Sequence, residues 1–244
     1  MYQKIGLKMA TSYSPNFNLP KRVKNRIKFI IIHYTGMKKE SAAIKRLQDP
    51  KSKVSSHYLI KRNGEIINLV PDLFEAWHAG VSSWKHFKSL NKNSIGIEIT
   101  NPGHQHGYKK FSKKQIFSLI KLLKYLKKQY NIKKTNILGH SDISPNRKKD
   151  PGEKFPWHYL AKKNLSTWHK LNKKKISTYR NIELKDNEIK IFFNNLHKIG
   201  YTKANGTKKE FEKSNLIKAF QRKFRQDLVN GKVDKECYLI SKTL

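Results

Sequence analysis

The stretch covering residues 139–157, GHSDISPNRKKDPGEKFPW, combines side chains that could do chemistry with a stiff backbone. His140 and Asp150 lie ten positions apart, and Lys148 precedes the aspartate by two positions. Three prolines and a glycine oppose helix or regular strand through most of the stretch. An imidazole and a carboxylate in such a loop are typical of a metal site, but also of a turn whose polar groups cap neighbouring elements. The stretch alone favours neither interpretation.

Two residues far upstream favour the metal site. Zinc hydrolases use three protein ligands and leave a fourth coordination position for water. His33 comes directly after the apolar run FIII, so it lies at the mouth of a predicted buried strand and could join His140 and Asp150. Glu98 belongs to the alternating strand SIGIEIT, in which it faces away from the isoleucines.

Together these residue types suit the hydrolysis of an amide with the help of a metal ion. A bound metal lowers the pKa of water towards ~7. Glu98 could take the proton from that water, and Lys148 could stabilise a tetrahedral oxyanion. Spacing alone does not establish that these groups meet, so the hypothesis depends on the elements that position them.

The pattern of apolar residues predicts strands interleaved with helices, which indicates the α/β class with a mixed central β-sheet flanked by helices. A hairpin is predicted around Asn63-Gly64, because both residues tolerate the positive φ of a type I′ turn. Ser112 and Gln115 fit a capping box at the start of a helix. The other predicted elements are strands at residues 29–32, 94–100 and 136–138 and a helix at residues 41–48.

The C-terminal part of the chain predicts a small domain of three helices, at residues 189–199, 215–228 and 234–244. In the second helix the predicted apolar face is Ile217, Phe220, Phe224 and Leu228, and the cations Lys218, Arg222 and Arg225 are predicted to lie outside it. The predicted organisation is therefore an N-terminal surface segment (1–27), a catalytic domain (28–160), a linker or peripheral segment (161–185) and the helical module (186–244).

Composition limits the classes of partner and the compartment. The net charge of +36 suggests an anionic partner, but the lysines are spread along the chain without a basic arm or an aromatic RNA-binding motif, so specific nucleic-acid binding is not expected. The single cysteine, Cys237, excludes an intrachain disulfide and a cysteine-rich zinc site. No apolar run approaches the ~20 residues of a membrane helix, and no cleaved signal peptide is expected. The compartment stays open between the cell envelope, by non-standard export, and the cytoplasm.

Five segments in order resemble the zinc-dependent N-acetylmuramoyl-L-alanine amidases of the amidase-2 family, relatives of the peptidoglycan recognition proteins. They are IIIHYTG (30–36), SSHYLIKRNGEIINLV (55–70), AWHAG (76–80), NSIGIEI (93–99) and the stretch 139–157. The resemblance implies one zinc ion held by His33, His140 and Asp150, with Glu98 as general base and Lys148 as oxyanion stabiliser. The resemblance is closest to the branch of the family that has aspartate as the third zinc ligand. Ser56 stands where another branch has a catalytic tyrosine, so Glu98 carries more of the chemistry.

The implied reaction cleaves the amide between the lactyl group of N-acetylmuramic acid and L-alanine, in intact peptidoglycan or in 1,6-anhydro fragments. Trp77 and His78 could line the substrate groove, and Asn93 could bind substrate amides; packing or loop hydrogen bonding is the alternative for each. Asp142 could orient His140 or simply close an Asx-turn. His57 is interpreted as a hydrogen-bonded strand residue that is not a ligand.

The C-terminal part resembles, more weakly, the three-helix peptidoglycan-binding module. The matching segments are LIKAFQRKFRQ (216–226) and NGKVDKE (230–236), after which Cys237 stands where the family usually has threonine. The alternative is a helical appendage that only stabilises the fold. For the whole chain, the alternative function is a non-catalytic peptidoglycan-binding protein of the same fold, a class that typically lacks the zinc ligands.

Overall fold

The computed structural model describes residues 9–203 and 209–244. Over these residues two long helices interrupt the series of strands, and the remaining helices follow the last strand. The strands are β1 (Met9–Thr11), β2 (Phe17–Asn18), β3 (Phe29–Tyr34), β4 (Tyr58–Ile60), β5 (Ile66–Asn68), β6 (Glu75–Ala76), β7 (Ser83–Trp84), β8 (Phe87–Lys88), β9 (Ser94–Ile99) and β10 (Ile137–Gly139). The helices are α1 (Glu40–Gln48), α2 (Lys113–Gln129), α3 (His140–Ile143), α4 (Trp157–Lys162), α5 (Lys173–Ser177), α6 (Asp186–Ile199), α7 (Lys209–Phe224) and α8 (Lys235–Ser241).

The main sheet has the strand order β1-β5-β4-β9-β3-β10. Its strand pairs are parallel except for the hairpin pair β4 and β5, which is antiparallel. The predicted mixed sheet with flanking helices is therefore confirmed. Because β9, β3 and β10 are adjacent and parallel, their carboxyl ends meet at one edge of the sheet. Open α/β sheets bind their ligands at this edge.

Alternation along β3 divides the core between the two faces of the sheet. Ile30 and Ile32 face helix α2 in one buried cluster, and the capping box at Ser112 is confirmed at the start of that helix. Phe29 and Ile31 face the opposite way, into a cluster shared with the C-terminal helices. His33 is two residues after Ile31 and therefore lies on the same face of the sheet, which the C-terminal helices cover.

The hairpin is where predicted, but its turn differs from the predicted type I′. Gly64 has φ +87°, whereas Asn63 is not among the residues with positive φ. The Gly64 N–H donates to the carbonyl of Lys61 at 2.9 Å, and the Lys61 N–H donates to the carbonyl of Glu65 at 2.8 Å. This pattern is a type I turn followed by a bulge, in which only the glycine needs the left-handed conformation.

The N-terminal segment takes part in the fold, which corrects its predicted path over the surface. Strand β1 forms an edge of the main sheet beside β5, and β2 pairs with β6. Arg22 is buried and donates to the carbonyl oxygens of Asn91 and Ser94, both at 2.8 Å. Residues 1–8 of the segment lie outside the described residues.

Helices α6, α7 and α8 form the C-terminal region, and α7 packs against the sheet. The apolar residues Ile217, Phe220 and Phe224 are buried as predicted, in the cluster that contains Phe29 and Ile31. Arg222 and Arg225, predicted outside this face, are 7% and 3% exposed. The domain boundaries remain predictions. No helix in residues 9–203 and 209–244 is both long enough and apolar enough to cross a bilayer.

Candidate metal centre

The structure brings together three of the predicted residues, whose ligand atoms form a small triangle. The Nδ1 atoms of His33 and His140 are 2.9 Å apart, and each is 3.1 Å from Oδ2 of Asp150. All three side chains are buried. His33 lies near the carboxyl end of β3, and His140 follows β10, so neighbouring parallel strands supply the two imidazoles.

Hydrogen bonds outside the triangle fix the tautomer of His33. The Ser94 hydroxyl donates to the Leu90 carbonyl at 2.6 Å, so its oxygen accepts from Nε2–H of His78 at 3.2 Å. Burial and the neighbouring histidines hold the pKa of His78 well below its usual value, so the ring is neutral and its Nδ1 carries a lone pair. That lone pair accepts Nε2–H of His33 at 3.0 Å. His33 therefore has no proton on Nδ1.

A carbonyl fixes His140 in the same way. Its Nε2 lies 3.1 Å from the carbonyl oxygen of Ala79, which can only accept a hydrogen bond. This acceptor favours the tautomer with its proton on Nε2, in which Nδ1 is available as a metal ligand. Two imidazole nitrogens and a carboxylate oxygen thus converge on one point, which is the arrangement of donors that a metal ion requires.

The spacing and chemistry of these donors fit a metal ion. Ligands about 2.0–2.2 Å from a tetrahedral ion are spaced about 3.3–3.6 Å apart, close to the 2.9–3.1 Å found here. Each imidazole has an outer hydrogen-bond acceptor, as metal-binding histidines usually do. Burial alone raises the pKa of Asp150, but the adjacent His140 and His33 hold it far below its usual range, so the carboxylate is ionised. His33, His140 and Asp150 therefore form a group that can hold a metal ion.

Glu98 lies beside this group on the same face of the sheet. It is the register partner of His33 across the β3–β9 pair. Burial, and secondly the negative charge of Asp150, raise the pKa of Glu98 to about 8. Its Oε2 is buried and has no hydrogen-bond partner among the described residues. A buried carboxyl with a raised pKa and a free oxygen is suited to exchange a proton with a bound molecule.

A cavity of about 550 Å³ opens over the group. His33, Asp150 and Glu98 line it, and so do Trp77 and Lys148. The indole N–H of Trp77 donates to Asn18 Oδ1 at 2.9 Å, which holds the ring at the wall. Lys148 is half-buried, and its ammonium group has no hydrogen-bond partner in the described part of the chain.

Of the other two predicted substrate-binding residues, His78 lines the cavity and Asn93 does not. His78 reaches the base of the cavity, but its ring is buried and bonded to His33 and Ser94, so it orients His33. Asn93 precedes β9 and donates to the carbonyl of Arg26 at 3.2 Å. It lies at the opposite end of the strand from Glu98, about 16 Å away for five residues of extended chain.

Asp142 does not contact the ring of His140 but bonds to the backbone directly before it. Its Oδ2 accepts the N–H of Gly139 and the ammonium of Lys223, both at 2.8 Å, and its Oδ1 accepts the hydroxyl of Tyr201 at 2.7 Å. The His57 ring accepts from the Gly96 N–H at 3.0 Å, in agreement with its interpretation as a strand residue that is not a ligand.

A second chain of polar side chains on the cavity wall was not predicted. The Tyr34 hydroxyl lies 2.8 Å from Nδ1 of His104, and Nε2 of His104 lies 3.1 Å from a carboxylate oxygen of Glu153. This chain fixes the phenol ring next to His33. His104 and Glu153 are far apart in sequence and lie outside regular strands, so no periodicity indicated them.

The chain is similar to proteins of known family and structure. Residues 23–153 match the family described as N-acetylmuramoyl-L-alanine amidase. The chain is 36% identical to the N-acetylmuramoyl-L-alanine amidase AmiD of Escherichia coli over 232 residues, which cover 90% of this chain and 82% of AmiD. A structure of AmiD from E. coli with the substrate anhydro-N-acetylmuramic acid-L-Ala-D-γ-Glu-L-Lys superposes with a TM-score of 0.79 at 34% identity, covering 93% of this chain and 91% of that one. AmpDh3 from Pseudomonas aeruginosa in complex with anhydromuramic pentapeptide gives a TM-score of 0.78 at 28% identity, with coverages of 94% and 95%.

Proposed function

This chain belongs to the N-acetylmuramoyl-L-alanine amidase family, and we propose that it uses zinc to hydrolyse the amide between the lactyl group of N-acetylmuramic acid and L-alanine. The substrates are peptidoglycan or muropeptides, including 1,6-anhydro-muropeptides such as those bound to AmiD and AmpDh3. The observation that carries the proposal is the meeting of three possible ligand atoms beside a buried carboxyl, at the base of a cavity.

The donor set favours zinc over the other biological metals. Two imidazole nitrogens and one carboxylate oxygen are typical of catalytic zinc sites, which keep a further position open. Magnesium and calcium prefer ligand sets made of oxygen alone. His33, His140 and Asp150 would hold the ion, which when bound supplies Lewis-acid and water-activating chemistry.

The other residues at the cavity would move protons and balance charge. The positive charge of a bound metal ion would favour the ionised form of Glu98. In that form Glu98 would accept the proton of the attacking water through its free oxygen. The same carboxyl then returns the proton to the amide nitrogen, so that L-alanine leaves as a neutral amine. Lys148 places a positive charge next to the carbonyl oxygen, where negative charge develops during attack. Trp77 offers an aromatic face to the sugar or the peptide.

Product analysis by mass spectrometry tests this proposal. The chain with zinc is incubated in parallel with an anhydro-muropeptide and with intact sacculi. Cleavage at the proposed bond gives an intact stem peptide with a free L-alanine amino group and a sugar that keeps its lactyl carboxylate. Products that still join the lactyl group to L-alanine, or no products from either substrate, would contradict it.

A further inference from the structure

Helix α7 and the residue that follows it bring three cations into the interior. Arg222, Lys223 and Arg225 are each less than 10% exposed. Buried lysine is rare unless the ammonium group is paired. Lys223 is paired with Asp142, at 2.8 Å, and the two side chains are 4% and 1% exposed. An ion pair this deeply buried does not arise from the general excess of lysine on the surface.

Lys223 contacts both ends of the stretch 139–157 that supplies two of the three proposed ligands. Its ammonium lies 3.3 Å from the carbonyl oxygen of Ile137, at the start of β10, and pairs with Asp142 in α3. It also lies 4.5 Å from the centre of the Trp157 ring, within the range of a cation–π contact. One side chain of the C-terminal region therefore ties the beginning of the stretch to its end.

Asp142 transmits this contact to the ligands. It lies in the same helical turn as His140, and α3 is only four residues long. A single turn has little stability of its own, so its tertiary contacts determine its position. The N–H of Ser141, between His140 and Asp142, donates to the carbonyl of Asp150 at 2.9 Å. A displacement of this turn would therefore move both His140 and Asp150.

We propose that Lys223 is a positioning residue for the metal site, acting through Asp142 on His140 and Asp150. Tyr201, which donates to the other oxygen of Asp142, supports the same turn. The inference rests on the proposed function, because it assumes that the three ligands bind zinc. It gives the C-terminal helical region a role in the catalytic site itself, independent of any binding to glycan.

The test is the zinc affinity of the full chain, measured by competition with a chromogenic chelator. Changes in residues that support metal ligands from behind typically weaken metal affinity about 10–100-fold. We expect Lys223→Met to weaken zinc binding about tenfold. The matched control is Lys213→Met, on the same helix, where the lysine pairs with Glu210 at the surface. This control should bind zinc as the unaltered chain does.

Two further variants separate positioning from general stability. Asp142→Asn removes the charge that Lys223 meets, and the double variant with Lys223→Met should bind zinc no more weakly than Asp142→Asn alone, because both residues act through one contact. Tyr201→Phe keeps the ring but loses the hydrogen bond, and it should weaken zinc binding in the same direction by less. If Lys223→Met does not fold, the zinc affinity of Tyr201→Phe tests the positioning role in its place.

The outcomes are distinguishable. A lower melting temperature with unchanged zinc affinity in the folded Lys223→Met and Tyr201→Phe variants would overturn the positioning role while leaving the proposed function intact. Additive losses in the double variant would also overturn it. If the unaltered chain itself bound no zinc, the proposed function would fail, and this inference with it.

Discussion

The Nδ1 atoms of His33 and His140 face each other at 2.9 Å, and each lies on the opposite side of its ring from an outer hydrogen bond. Those outer hydrogen bonds, to His78 and to Ala79, favour the tautomers whose Nδ1 can bind a metal ion. In those tautomers both nitrogen lone pairs point to the place where a metal ion would be held together with Asp150. The outer hydrogen bonds of the imidazoles are therefore as much a part of the proposed site as the ligands.

The first prediction concerns His78. His78→Phe keeps the ring volume but leaves Nε2–H of His33 without its acceptor, so the tautomer that presents Nδ1 is no longer favoured. We expect zinc affinity to fall about 10–100-fold, measured by chelator competition. His86→Phe, at an exposed histidine, is the control and should have no effect. Equal affinity in the two variants would contradict the relay from Ser94 through His78 to His33.

The second prediction concerns Gly96, which lies next to the ring of His78. A Cβ at Gly96 would lie 2.4 Å from Cγ of His78, which is closer than atoms can approach. Gly96→Ala should therefore displace His78, lower the free energy of unfolding by about 1–3 kcal/mol and weaken zinc binding.

The control for Gly96→Ala is Gly107→Ala. Gly107 has φ +81° and nothing within 4 Å of the added Cβ, so its cost is backbone strain alone, about 1–2 kcal/mol. Both variants should be less stable in urea titrations, but only Gly96→Ala should bind zinc more weakly. Full zinc affinity in Gly96→Ala would show that the ring has room to move.

The third prediction concerns pH and His57. Burial, with the nearby charge of Arg22 as the second cause, lowers the pKa of His57 to about 3. The unfolded chain takes up this proton below about pH 6.5, whereas the native state stays neutral until about pH 3. The stabilising contribution is therefore complete above pH 6.5 and is lost as the pH falls towards 3, at up to about 1.4 kcal/mol per pH unit.

Comparison with His57→Gln checks this linkage, because glutamine can accept from the Gly96 N–H and does not titrate. Both chains are unfolded with urea between pH 4 and 6.5 in the presence of a chelator, so that metal loss does not contribute. The unaltered chain should lose stability more steeply with acid than the variant. Parallel pH dependences would show that His57 is not held neutral by the fold.

The sequence was sufficient to predict the sheet and the group of side chains at its edge. Runs such as FIII and SIGIEIT have the periodicity of buried strands, and parallel neighbours then bring His33, Glu98 and the stretch after β10 to the same edge. That outcome depends mainly on strand period, which is a local property of a sequence.

Contacts between distant segments were not predictable in this way. The apolar face of α7 follows from helical periodicity. The burial of Arg222 and Lys223 does not, because it depends on contacts with other parts of the chain. Asp142, the partner of Lys223, is more than 80 residues away in the sequence. Likewise, His78 was expected to line the groove, and it does line the cavity, but the sequence contains no information about Ser94, its partner behind the ring. Asn93 was placed near the site because it adjoins β9, yet it lies at the wrong end of that strand.

The fourth prediction tests the central claim most directly, with zinc content and turnover measured on the same samples of Glu98→Gln. Glutamine keeps the shape of the side chain but cannot accept the proton of water. We expect about one zinc ion per chain, as in the unaltered chain, and a rate of muropeptide cleavage lower by roughly 10²–10⁴-fold. Cleavage at the native rate by the zinc-loaded variant would contradict the account.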